Sequence, residues 1–219
     1  MLTVKCFVTN MVSENCYVVS DETKEAVIID DGAFSDEENS AIDTYITEHN
    51  LVPKHLLCTH AHFDHTLGCC HIYEKYGLKP LIHLKDTELY LNLPLQIEAI
   101  LGHVGQQFLS QVRVAPVGDA LTESRQITFG SHTLAAIETP GHTPGGVCLY
   151  CESEATLFSG DSIFQYSIGR TDFPGGDHLA LVSSIKSKLL PLPVRTIIYP
   201  GHGATTTIQQ EKLHNPYLV

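Results

Sequence analysis

The sequence is short of positive charge: 13 Lys and Arg stand against 25 Asp and Glu, a formal net charge of −12. A surface of that sign repels phosphate backbones and anionic lipid, which argues against nucleic-acid and membrane partners. No apolar stretch approaches the roughly 18 residues that span a bilayer, because charges or prolines interrupt every run. The first ten residues, Met-Leu-Thr-Val-Lys-Cys-Phe-Val-Thr-Asn, alternate apolar and polar side chains where a leader would place a basic segment before a continuous apolar one. No signal peptide is read there, and a cytoplasmic location is expected.

A disulfide framework is missing as well. Seven cysteines, at 6, 16, 58, 69, 70, 148 and 151, are odd in number and follow no paired spacing, which leaves reduced thiols. Cys148 and Cys151 spell a CxxC, but they lie in a strand-like run where residues three apart face opposite sides, so a shared metal or redox role is set aside. Low-complexity segments, charge runs and linkers are absent, and a single unit over 1–219 is expected.

What is present is enough for a core: 219 residues, 43% of them hydrophobic. Strand-like runs at Leu2–Thr9, Cys16–Ser20 and Ala26–Asp30 predict a meander at a sheet edge, closed by the turn signal Asp30-Asp31-Gly32. A helix over 36–49, a strand at His55–Cys58, a helix over 67–76 and a strand at Leu81–Leu84 follow. Residues 86–110 read as helices broken at Pro94, Gly102 and Gly105. Strands near 126–129, 132–138, 146–152 and 155–159, a helix near 178–190 and a strand at 195–199 complete the pattern. Strands in both halves with helices between them predict an α/β sandwich of two sheets covered by helices.

Residues 59–65 read Thr-His-Ala-His-Phe-Asp-His and deliver four donors, His60, His62, Asp64 and His65, at a strand's C-terminal end. Three more donors follow strand-like runs, each preceded by glycine: His142, Asp161 and His202. Glycine there permits a tight turn and leaves the next side chain projecting into a cleft. His49, His55, His71, His83, His103, His132, His178 and His214 lack that setting and are assigned no chemistry. A dense cluster joined by three glycine-preceded donors points to bound metal. Neutral imidazoles suit zinc or iron, with manganese also accommodated, and a carboxylate's two oxygens can hold two cations about 3.5–4 Å apart.

In these residues, from Asp30-Asp31-Gly32 to Gly201-His-Gly203, the chain resembles the metallo-β-lactamase superfamily. The resemblance implies a four-layer αββα sandwich with two mixed sheets flanked by helices. It also implies two divalent ions, zinc first: one held by His60, His62 and His142, the other by Asp64, His65 and His202, with Asp161 bridging. A hydroxide shared by the two would be the nucleophile, oriented by Asp64, because metal binding can lower the pKa of water from about 15.7 to about 7.

Aspartate at 161, where the superfamily's penicillin-degrading members typically carry cysteine, points away from lactamase activity and toward a thioester or ester. The cluster, Gly160-Asp161-Ser-Ile-Phe and Pro-Gly-His-Gly are similar to glyoxalase II, which hydrolyses S-2-hydroxyacylglutathione thioesters. Longer members add a helical glutathione-binding domain, whereas this chain runs 17 residues beyond His202. It therefore resembles the short, one-domain bacterial glyoxalase II-like proteins. In the loop 168–177, Arg170 matches in charge a lysine that contacts the thiol cofactor, but Asp172 replaces a tyrosine. Arg170 is the substrate candidate, able to bind a carboxylate bidentately or to pair internally with Asp172 or Asp177. The persulfide dioxygenases of the same fold, with one iron on positions matching His60, His142 and Asp161, form the alternative reading, and a catalytically silent metal-binding protein a further one.

Overall fold

The computed structural model describes residues 1–218. The first half runs β1 (Thr3–Thr9), β2 (Glu14–Ser20), β3 (Glu25–Ile29), α1 (Asp36–Glu48), β4 (Val52–Leu57), α2 (Cys69–Tyr76), β5 (Pro80–Leu81), α3 (Thr87–Leu91) and α4 (Leu93–Gln106). The second runs β6 (Gln126–Phe129), β7 (His132–Glu138), β8 (Val147–Cys151), β9 (Thr156–Gly160), β10 (Ile163–Phe164), β11 (Ser167–Ile168), α5 (His178–Ser184), β12 (Ile197–Pro200), β13 (Thr206–Thr207) and α6 (Ile208–His214).

Two mixed sheets result. One has the order β1-β2-β3-β4-β5 and the other β13-β12-β9-β8-β7-β6, while β10 and β11 form a separate small ribbon. In the first sheet β1, β2 and β3 pair antiparallel, and β4 joins β3 in parallel. This is the edge meander that the alternating N-terminal residues predict.

Strand periodicity sorts the core into layers. From β2, Tyr17 and Val19 face the other sheet and pack with Ile29, Leu57, Phe129, Leu149 and Phe158. The intervening Cys16 and Val18 face outward, onto Ile42 and Ile46 of α1 and Ile72 of α2. On the far side Cys148, Leu157 and Ile198 pack against Leu181 of α5, Ile185, and Ile208 of α6. The layers are therefore α, β, β, α, as the resemblance implies. Cys148 and Cys151 fall in different layers, consistent with their opposite orientation on the strand.

Helix α1 starts where Ser35 accepts from Glu38 N–H and Glu38 accepts from Ser35 N–H, a reciprocal cap worth about 0.5–2 kcal/mol. The 86–110 segment differs in part from its predicted breaks. Pro94 starts α4 in its first turn, and the real break is at Gly102, with φ 55° and ψ −133°. Gly105 interrupts nothing; it lets the helix pack on itself, since a Cβ there would lie 2.6 Å from Ile97 O. Strands β10, β11 and β13, two residues each, are too short to show a period, and the sequence reading passes over them and over helix α6. No helix of the described residues is long and apolar enough to cross a membrane.

Candidate metal centre

The seven donors meet at one edge of the sandwich. His60, His62, Asp64 and His65 follow β4, His142 lies between β7 and β8, Asp161 follows β9, and His202 follows β12. Glycine is required where these ends converge. A Cβ on Gly201 would lie 2.3 Å from Asp161 Oδ1 and 2.6 Å from His65 Cε1. Gly160 has φ 47° and packs on Thr59, so the turn that presents Asp161 has no room for a side chain.

His60, His62 and His142 form a triangle, with ring centroids 4.5–4.9 Å apart and His62 Nδ1 facing His142 Nε2 at 2.8 Å. Beside it, Asp64 Oδ2 lies 3.2 Å from His202 Nε2 and 3.6 Å from His65 Nε2. Asp161 stands between the groups: Oδ1 is 3.4 Å from His65 Nε2, and Oδ2 is 3.4 Å from His142 Nε2 and 3.8 Å from His202 Nε2. Three donor sets, His60/His62/His142, Asp64/His65/His202 and His60/His65/Asp161, each have ligand atoms within 4.8 Å of one another.

The outward ring nitrogens are committed elsewhere. His142 Nδ1–H donates to Arg170 O at 2.7 Å and His202 Nδ1–H to Ser13 O at 3.2 Å. His65 Nδ1 reaches Asp30 Oδ2 at 3.1 Å. His60 Nδ1 meets Thr59 Oγ1 at 3.1 Å, and that hydroxyl donates to Asp30 Oδ2 at 2.6 Å. Partners of this kind direct the remaining lone pairs inward, the usual arrangement behind metal-binding histidines. His60 Nε2, His65 Nε2 and Asp161 Oδ1 are buried and have no hydrogen-bond partner.

The field differs across the centre. Burial, reinforced by neighbouring imidazoles, pushes His60 well below the ordinary histidine range and His62 to about 3, so both are neutral donors at pH 7. Burial also disfavours charge on His65 and His202, but the carboxylates of Asp64 and Asp161 outweigh it and raise both. Burial alone would raise Asp161, yet His65, His142 and His202 hold its carboxyl well below the usual range. The Asp64/His65/His202 end therefore attracts positive charge more strongly.

Arg170 lies outside the donor cluster. Its guanidinium pairs with Asp172 at 2.8 and 2.7 Å and stacks 3.8 Å over the Phe173 ring, whose edge meets His62 at 5.5 Å between centroids. Asp177 is not its partner; that side chain caps α5. Of the histidines assigned no chemistry, His83 and His132 are buried against carboxylates, Glu138 for one and Asp21 with Glu154 for the other.

Several supporting residues escape the sequence reading. Asp30 appears there only as part of a turn. Its position at the end of an apolar strand, with no basic residue adjoining, is the signal that marks it for burial. Glu14, fully buried, accepts from Thr9 Oγ1 at 2.6 Å with its other oxygen 3.7 Å from His65 Nδ1. Burial raises its pKa well above the carboxyl range, which His65 only partly offsets. Asn10 Nδ2 donates to Asp64 O at 2.8 Å. Asp86 is also buried here, and nothing in its local sequence marks it.

Known proteins share this arrangement of elements. A structure described as BLEG-1 B3 metallo-beta-lactamase superposes with TM-score 0.88 at 39% identity, covering 99% of this chain and 100% of that one. TTHA1623 in a di-iron-bound form gives 0.83 at 34%, covering 98% and 100%. The Haemophilus influenzae protein named hydroxyacylglutathione hydrolase GloC is 36% identical over 206 residues, 94% of this chain and 92% of its own. The sequence description of the metallo-beta-lactamase superfamily matches residues 10–202, and the chain belongs to that superfamily of metal-binding hydrolases.

Proposed function

We propose that this hydrolase cleaves a small thioester or related ester with a pair of divalent cations. His60, His62 and His142 hold one, Asp64, His65 and His202 the other, and Asp161 reaches both. The observation that carries the proposal is that His60, His65 and Asp161, whose ligand atoms lie within 4.8 Å of one another, include three buried atoms without a hydrogen-bond partner, His60 Nε2, His65 Nε2 and Asp161 Oδ1. A buried polar atom without a partner costs about 1–3 kcal/mol, and coordination removes that cost. Neutral imidazoles with carboxylates fit zinc first, and iron or manganese by the same chemistry.

When bound, such a pair supplies Lewis acidity for a carbonyl and brings the pKa of water from about 15.7 to about 7. The protein's part is placement. Asp64, whose Oδ2 faces His202 Nε2 with the other donors of its set, would accept a hydrogen bond from an attacking water through its second oxygen and orient it, and Asp161 keeps both donor sets in one frame. Phe173 walls the cleft beside His62 and carries Arg170, whose guanidinium exchanges Asp172 for a substrate carboxylate. The likeness to GloC over 94% of this chain supports a hydroxyacylglutathione-type thioester as the substrate class.

Elemental analysis combined with turnover of S-lactoylglutathione tests the reading. Two metals per chain and thioester cleavage are expected, whereas one iron with oxygen consumption on glutathione persulfide would replace it by the dioxygenase reading. The likeness to the BLEG-1 B3 enzyme, despite aspartate at 161, favours β-lactam hydrolysis as a second reading. A chromogenic cephalosporin in the same assay separates the two.

A further inference from the structure

Asp86 opens α3, where an aspartate would ordinarily cap its own helix, yet its side chain makes no such bond. Fully buried, it reaches instead across the site's floor. Oδ2 accepts from Ala61 N–H at 3.2 Å and from Thr143 Oγ1–H at 2.7 Å, and Oδ1 accepts from Gly145 N–H at 2.6 Å. Ala61 is the residue between His60 and His62, and Thr143 follows His142. One carboxylate thus joins the two loops that carry the three-histidine set. A Cβ at residue 145 would lie 2.6 Å from Asp86 Cγ, so glycine there is what admits the carboxylate.

The carbonyl of the same residue, Ala61, is held from α4. Gln96, also buried, donates Nε2–H to Ala61 O at 2.9 Å. Asp64, His65 and His202 are held by different groups, Asn10, Asp30 and Ser13. The N–H of Asp86 donates to His83 O.

We infer that Asp86, assisted by Gln96, is a positioning residue that sets the geometry of the His60/His62/His142 site alone. The polar contacts of the α3–α4 segment then reach the loops of one cation's ligands, while its contact with the other set is the apolar packing of Leu93 and Ile97 on Phe63. This inference rests on the two-cation reading proposed above.

The test is a per-site titration of metal-free protein with cobalt(II), followed by its visible spectrum and by calorimetry. His142→Ala and His202→Ala proteins provide the reference signals of each site. Asp86→Asn keeps the size of the side chain but turns an NH2 toward hydrogen-bond donors. Loss of a supporting partner of this kind weakens metal binding about 10- to 100-fold. Asp86→Asn is expected to show that loss at the three-histidine site with less than about twofold change at the other. Gln96→Leu and Thr143→Val should weaken the same site to a smaller degree. Equal weakening at both sites would mean general damage and overturn the inference, as would wild-type affinity at both. Where Asp86→Asn does not fold, the Gln96→Leu and Thr143→Val proteins decide, and unchanged affinity at the three-histidine site in both overturns it. Wild-type protein that binds fewer than two cobalt ions overturns the two-cation reading, and this inference with it.

Discussion

His62 Nδ1 and His142 Nε2 face each other across 2.8 Å, although they come from loops 80 residues apart. His142 Nδ1–H donates to Arg170 O at 2.7 Å, which leaves Nε2 directed at His62 Nδ1, and one proton shared between those two nitrogens makes a hydrogen bond. Replacing that proton by a cation turns a hydrogen bond into a pair of ligands.

His142→Ala is therefore expected to deplete one metal selectively. The other set keeps Asp64, His65, His202 and the reach of Asp161. Elemental analysis should fall from two ions toward one, and turnover by about 100-fold or more, the order lost with a group that acts in the transition state. Unchanged stoichiometry and turnover would contradict the ligand assignment.

Asp161→Ala should lower metal content and abolish hydrolysis, because among the described residues no other carboxylate reaches both His142 and His65. Two bound metals with full activity in that variant would sink the paired-cation reading.

Far from this centre, His132 sits between Asp21 Oδ2 at 2.9 Å and Glu154 Oε1 at 3.0 Å. Burial disfavours its charge, but Glu154 and Asp21 outweigh burial and raise its pKa. A raised folded-state value means that the contribution is complete below the unfolded value of about 6.5 and is lost as pH rises through the folded one. Thermal melts from pH 6 to pH 8 should fall less in His132→Asn than in wild type. Parallel curves would show that the pair contributes nothing.

The thiols offer a check on burial. Cys6 is exposed, whereas Cys16, Cys58, Cys69, Cys70, Cys148 and Cys151 are buried. Burial pushes Cys16 and Cys69 well above the ordinary thiol range and Cys148 to about 11. A disulfide reagent should modify about one thiol rapidly in the folded protein and all seven in denaturant. Rapid labelling at Cys58 or Cys69 would mean that the wall behind His60 opens readily.

The layers and the donor cluster are legible in the sequence for one reason: both are written in short-range spacing. Val18 and Val19 declare their faces by alternation, and His60, His62, Asp64 and His65 declare themselves by density. Asp86 does neither. It follows Lys85 and reads as a surface acid, and its partners Thr143 and Gly145 lie 57 and 59 residues away. Gly105 misleads in the opposite direction, because a glycine demanded by close packing on Ile97 resembles one demanded by a turn. For Arg170 the sequence leaves substrate and ion pair both open, and the fork closes on Asp172, a partner two residues away.

The hairpin between β1 and β2 bears on how the protein assembles. Asn15 donates its side chain to Pro200 O and Gly203 O, both at 3.0 Å, and its N–H to Gly201 O at 2.7 Å. Those side-chain bonds span 185 and 188 residues, nearly the whole chain. Contacts of such separation form slowly, after the loop between them has been closed. During synthesis the N-terminal half emerges with His60, His62, Asp64 and His65 already present, but His202 reaches its place only when the last sheet strands dock beside residues 13–15. Full occupancy of the Asp64/His65/His202 set then requires residues 13–15 and 200–203 to have met, so that end of the centre is completed by contacts of long sequence separation.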